Sequence, residues 1–172
     1  MRKLYVWDPL VRAFHWALVA GLILNMFVTN PGKTAHRWLG YGVLTLIALR
    51  LVWGLIGPKF ARFRSFPPDP AAALDHAREI VTGRVHPHEG HSPLGALMVY
   101  NLLASCLIIG LTGWMLTTLT WFGVEWVEDL HKAFVTWVQL CAVLHIAAVI
   151  FESRRLRVNL PKSMVTGYKT LP

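Results

Sequence analysis

Four apolar blocks of about twenty residues constrain this chain more than any other feature. They run from about Leu10 to Val28, His36 to Ile56, Pro93 to Met115 and Asp129 to Phe151. A hydrocarbon core about 30 Å thick takes roughly 20 helical residues to cross. Inside it, every backbone N–H and C=O must find a partner within the segment. The expected fold is therefore an all-α membrane protein, a bundle of four transmembrane helices forming one unit over residues 1–172. Composition agrees, with 55% of residues apolar and only 15% charged. Arg2 and Lys3 ahead of an apolar run resemble a signal peptide. However, Asp8, Pro9, Arg12 and His15 interrupt the approach and no Ala-x-Ala site follows, so the run reads as a first span. Cys106 and Cys141 both lie inside apolar blocks and read as small core residues, with no Cys-x-x-Cys-His for covalent haem attachment.

The polar segments set the orientation. Three Lys and Arg lie up to Arg12, six from Arg50 to Arg84 and five from Arg154 to Lys169, fourteen in all. Only Lys33, Arg37 and Lys132 fall on the other side. The positive-inside rule then places both termini and the loop 58–92 in the cytoplasm. The formal charge of +8 is explained by this asymmetry, not by binding to nucleic acid. Trp38, Trp114, Trp121 and Trp126 are expected at the outer boundary and Trp7 and Trp53 at the inner one, as an aromatic belt. Within the loop, the residues from Ala71 to Thr82 read as a short interfacial helix.

Histidines sort onto two levels. His131 and His145 are fourteen residues apart on the last span, which on a helix is a rise of about 21 Å and roughly 40° short of four turns. They share a face at two depths. His36 opens the second span at the outer level, and His15 lies about a turn inside the first at the inner level. The pairs His36 with His131 and His15 with His145 each join two helices, as a ligand held between bundle helices requires. Two imidazoles on opposite faces of a haem leave no open position, which suits electron transfer. The pattern therefore reads as two haems b, with His15 and His145 holding the inner one and His36 and His131 the outer one. The bland alternative for any one of the four is an interhelical hydrogen bond.

Other candidates are graded by place. Arg12, one turn before His15, and Arg50, fourteen residues beyond His36, are candidate partners for haem propionates. So are Arg37 and Lys132 at the outer level. The alternative for all four is interfacial placement or snorkelling to lipid phosphates. His86-Pro-His88-Glu-Gly-His91 carries metal-ligating residue types but no helical or strand spacing, so it reads mainly as a solvated loop. His91, beside Pro93 at the membrane surface, is a candidate contact for a quinone or a propionate. His76 reads as an exposed loop residue. Glu125, Glu128 and Asp129 either attract a basic partner or flank and cap the last helix.

Several of these segments carry a resemblance. Val6-Trp-Asp-Pro-Leu-Val-Arg-Ala-Phe-His15-Trp, His36-Arg-Trp-Leu-Gly-Tyr, Leu49-Arg-Leu-Val-Trp-Gly-Leu-Ile-Gly57, Gly90-His-Ser-Pro-Leu-Gly-Ala-Leu-Met98 and the pair His131 and His145 together resemble the bacterial cytochrome b561 family. That family includes the b-type cytochrome subunits of nickel-iron hydrogenases. The resemblance covers nearly the whole chain. It implies a four-helix bundle in the inner membrane with two b haems on those four histidines. It also implies electron exchange between the quinone pool, ubiquinone or menaquinone, and a periplasmic carrier such as a c-type cytochrome. Two alternatives within the family are a superoxide:quinone oxidoreductase-like enzyme and a hydrogenase-type subunit. The short sequence after the fourth span favours a stand-alone or cytochrome-c-linked protein over the latter. An alternative from another class is a haem-free anchor or transporter. Nothing in the sequence sets an oligomeric state.

Overall fold

The computed structural model describes residues 2–171. In chain order the elements are β1 (Arg2–Tyr5), α1 (Pro9–Phe27), α2 (Thr34–Ile56), a 3-10 turn (Phe63–Ser65), α3 (Pro70–Val81), α4 (Pro93–Met115), α5 (Glu125–Arg155), α6 (Leu160–Thr166) and β2 (Tyr168–Leu171). α1, α2, α4 and α5 are long and apolar enough to cross a membrane. Helix starts follow local chemistry. Asp8, Asp69 and Ser92 each stand just before a proline, and each side chain accepts a backbone N–H of the first turn that follows. Proline at N1 gives up only an N–H that has no intrahelical partner.

α5 begins four residues before the expected Asp129 and ends four after Phe151. Glu125, Glu128 and Asp129 therefore lie inside the helix rather than ahead of it, where their charge complements the dipole. At the other end Glu152 and Arg155 pair at 2.9 Å and carry the helix beyond the apolar block.

The long helices pack in a row: α1 on α2, α2 on α4, α4 on α5. Neither α1 nor α2 packs closely against α5. The bundle is thus open along the line where α5 faces α1 and α2. Ile47, Leu103, Cys106 and Val138 form its core, with Phe14, Leu18, Leu22 and Met26 of α1 packed against them. Cys106 and Cys141 are both buried with free thiols, as expected. Many large apolar side chains, among them Leu24, Phe27, Leu49, Leu55 and Val143, remain exposed because their counterpart is lipid.

Both termini meet in a small layer at one end. β1 pairs antiparallel with β2, Arg2 opposite Leu171 and Tyr5 opposite Tyr168. The tail is therefore folded: α6 and β2 return to the start of the chain. Two expectations are corrected here. Trp7 is buried rather than part of a belt, packs with Val6, Val11 and Ala61, and donates to Ser163 Oγ at 3.1 Å. His76 lies on α3 and is only 3% exposed, because its ring stands against His88 and against Arg155 of α5.

Gly167 locks this layer. Its φ is +86°, and an added Cβ would stand 2.8 Å from Trp7 O and from Tyr5 Cε2. Its carbonyl also accepts the N–H groups of Val6 and Trp7. Gly167→Ala is expected to destabilise the fold by about 1–3 kcal/mol, seen as a lowered Tm by circular dichroism in detergent. Gly32→Ala, at φ +76° with open space around it, is expected to cost less.

Candidate functional site

His36 sits near the start of α2 and His131 in the second turn of α5, at the end opposite the termini. Their rings face each other with centroids 6.4 Å apart and planes inclined at 68°. Thr112 of α4 lies 3.1 Å from His131 Nδ1 through Oγ1, and its own proton goes to Ile108 O at 2.7 Å. The hydroxyl has one proton. It therefore accepts from His131 Nδ1–H, and Nε2 keeps a free lone pair. The same holds opposite: Thr29 Oγ1 donates to Asn25 O at 2.9 Å and stands 3.3 Å from His36 Nδ1. Gly113 lets α4 come this close, since a Cβ there would be 3.2 Å from His131 Cε1.

This geometry fits a metal between the rings. An imidazole nitrogen binds a first-row metal at about 2 Å, so two rings on opposite sides of one ion have centroids about 6 Å apart. Orientation of a ligating histidine through its other nitrogen is the usual support for such a site.

At the termini end, His15 of α1 and His145 of α5 lie within electrostatic reach of each other. His15 Nδ1 is buried with no protein partner. Val138, seven residues from each histidine of α5, is 1% exposed and fills the core between the two levels. Arg50 is 5% exposed and reaches this level from α2. Its Nη2 donates to Ala61 O at 3.0 Å, its plane lies over the Phe63 ring at 4.8 Å, and its Nη1 is buried without an acceptor. Gly54 gives Phe63 that place, since any Cβ would overlap the ring. Arg12 donates through Nη1 to Val165 O at 2.6 Å, while its Nε is buried and unpartnered. A buried guanidinium without a carboxylate in contact is costly unless an anion arrives. Arg50 meets this condition; Arg12 is only partly buried, with its Nε alone shielded and unpartnered.

The outer candidates differ. Lys132 is exposed and pairs with Glu128 at 3.1 Å, and Arg37 is exposed on the first turn of α2. The loop histidines separate. His86 pairs with Glu79 at 2.9 Å near the surface, and His88 faces His76. His91 lies between Trp7 (4.8 Å) and Phe66 (4.1 Å). Among the described residues no three His, Cys, Asp or Glu gather to hold a metal ion. A cavity of about 250 Å³ opens beside His91, its wall including Lys59, Phe60, Phe66, His88 and Glu89.

The family model described as prokaryotic cytochrome b561 matches residues 6–167. The chain belongs to the prokaryotic cytochrome b561 family. It is a multi-pass membrane b-type cytochrome of electron transfer, and membership implies binding of haem b. Neither the comparison with curated proteins nor that with solved structures returned a match. The family match leaves the ligand positions open. Sequence reasoning did not find Thr29 and Thr112, whose relation to the histidines is tertiary and leaves no spacing signal. It also did not find Lys169, buried at 4% exposure with its ammonium on the carbonyls of His88 and Gly90.

Burial, and then the nearby Arg50, Lys169 and His145, push the His91 imidazole down to about 3. His91 is therefore neutral in the fold, while the unfolded chain takes up a proton near pH 6.5. This contribution to stability is present above about pH 6.5 and is lost as pH falls toward 3. His91→Gln is expected to flatten the decline in Tm between pH 7 and pH 4.5, and an unchanged slope would count against this placement.

Proposed function

We propose that this cytochrome carries electrons across the bacterial inner membrane through two haems b. His15 and His145 hold the inner haem, and His36 and His131 hold the outer. The observation that carries this reading is the facing of His36 and His131 at 6.4 Å, each Nδ1 engaged by a threonine hydroxyl. Arg50, with its unpartnered Nη1, and Arg12, with its unpartnered Nε, receive propionates of the inner haem. Arg37 and Lys132 are the cations nearest the outer histidines in sequence, and Lys132 is shared with Glu128. When bound, each haem supplies a one-electron iron couple with no open position. The protein's part is to hold the imidazoles, neutralise the propionates and keep the path dry.

Fourteen Lys and Arg on the side of the termini against three opposite support a cytoplasmic location for both termini. The outer face, with Glu125, Glu128 and Asp129 on α5, suits exchange with a basic one-electron carrier such as a c-type cytochrome. The cavity beside His91 lies close to His145 and suits a quinone head group, with His91 as a neutral hydrogen-bonding contact. Pairing of Lys132 with Glu128 leaves few free cations to steer an anion, which favours a carrier protein over superoxide as the outer partner.

Pyridine haemochrome analysis of the purified protein is expected to give two haems b per chain. His131→Ala and His15→Ala are each expected to leave one, and an unchanged count would contradict the ligand assignment. Thr112→Val removes the acceptor of His131 Nδ1–H. It is expected to weaken retention of the outer haem about 10- to 100-fold, measured by haem titration of the apoprotein, with the inner haem unaffected.

A further inference from the structure

Two histidines line the cavity, His88 and His91, and their surroundings give them different capacities. His91 is held between Trp7 and Phe66 and faces the cations Arg50 and Lys169. Glu89, which lines the same cavity, is paired with Arg2 at 3.3 Å. His88 is set against α3 and α5; burial, then His76 and Lys169, lower its pKa, and Glu79 and Glu152 oppose them.

A chain of fixed donors orients His88. Arg155 grips Glu152 through Nε and Nη2, each at 2.9 Å, and gives Nη1 to Arg84 O at 2.5 Å. Its Nη2 also stands 3.4 Å from His76 Nε2. A guanidinium only donates, so His76 Nε2 accepts and the neutral ring carries its proton on Nδ1. That nitrogen is buried without a protein partner, and so is His88 Nε2. The two rings are 5.4 Å apart and nearly perpendicular. Lys169 anchors the His88 backbone from β2.

We propose that His88 exchanges protons with a quinone bound in this cavity, and that His76, fixed by Arg155 and Glu152, is the positioning residue that holds its ring in place. This rests on the quinone reading of the cavity. A quinone that receives two electrons, one at a time, from the haem pair becomes quinol only by taking up two protons. The electrons come from the one-electron carrier at the outer face. In the opposite direction quinol yields two electrons to the haems and two protons to the protein. His88 gives each proton as imidazolium, becoming neutral, or takes each proton as neutral imidazole, and it re-equilibrates with water past the surface pair Glu79 and His86, which are 27% and 65% exposed at the side chain. His91 hydrogen-bonds the head group without changing charge.

The test uses the purified holoprotein and decylubiquinol, with haem reduction followed by stopped flow from pH 5.5 to 8.5 in H2O and D2O. Wild type is expected to be reduced with a solvent isotope effect. His88→Gln should slow reduction about tenfold or more and remove the isotope effect, while dithionite reduction and haem count stay normal. His76→Gln should shift the pH profile with a smaller loss of rate. Separately, 15N NMR of the reduced holoprotein should find His76 protonated on Nδ1, and an Nε2–H tautomer would overturn the orienting chain. If wild type takes no electrons from the quinol, the quinone reading fails and the proposal with it. If wild type reacts while both variants match it in rate and isotope effect, the proposal alone is overturned.

Discussion

The structure depends on one gap. α5 carries two histidines on one face, yet α1 and α2, which carry their partners, do not pack against it. Helices in lipid associate through close packing and interhelical hydrogen bonds, not through a hydrophobic drive. An open seam lined by imidazoles and a buried guanidinium is therefore not a stable arrangement of protein alone. On the proposed reading it becomes one when a flat, largely apolar group with an iron centre and carboxylate edges fills each level. The same seam explains why α4 is both central and free of histidine. It packs on α2 and α5 and supplies the hydroxyl and the glycine that let the His131 ring sit where it does.

The layer at the termini end serves the inner level. Trp7 and Phe66 clamp His91, Ala61 takes one arm of Arg50, and Val165 takes one arm of Arg12. The groups around the inner histidines are thus positioned by β1, β2, α6 and the 3-10 turn, outside the spans. This asymmetry fits the division of roles proposed above. The outer level is a simple two-histidine site near the surface, and the inner level adjoins a cavity with two further histidines.

Much of this was legible from the chain. Four spans follow from apolar block length, and family membership from the combined segments around His15, His36 and His91. The depth matching of the four histidines follows from helix rise, since His131 and His145 lie on one element. Boundaries were less legible where apolarity and helicity part, as at both ends of α5, where carboxylates and an i, i+3 ion pair extend the helix into water. What depended on tertiary contact was not legible. His76 is on a helix of ordinary amphipathic pattern, and tertiary contact with His88 and with Arg155 of α5 buries it. Trp7 has the composition of a belt residue and became core through a strand pair joining residues more than 160 apart. Thr29 and Thr112 are unremarkable in sequence, and their meaning is set by the rings they face.

The central claim is that each level is closed by two imidazoles. Low-temperature electron paramagnetic resonance of the oxidised protein tests it most directly, because two strong axial nitrogens make ferric haem low-spin and leave no open position. The account predicts two low-spin ferric haems per chain and no high-spin signal. A high-spin signal from intact protein, or a single low-spin species at one haem per chain, would contradict it.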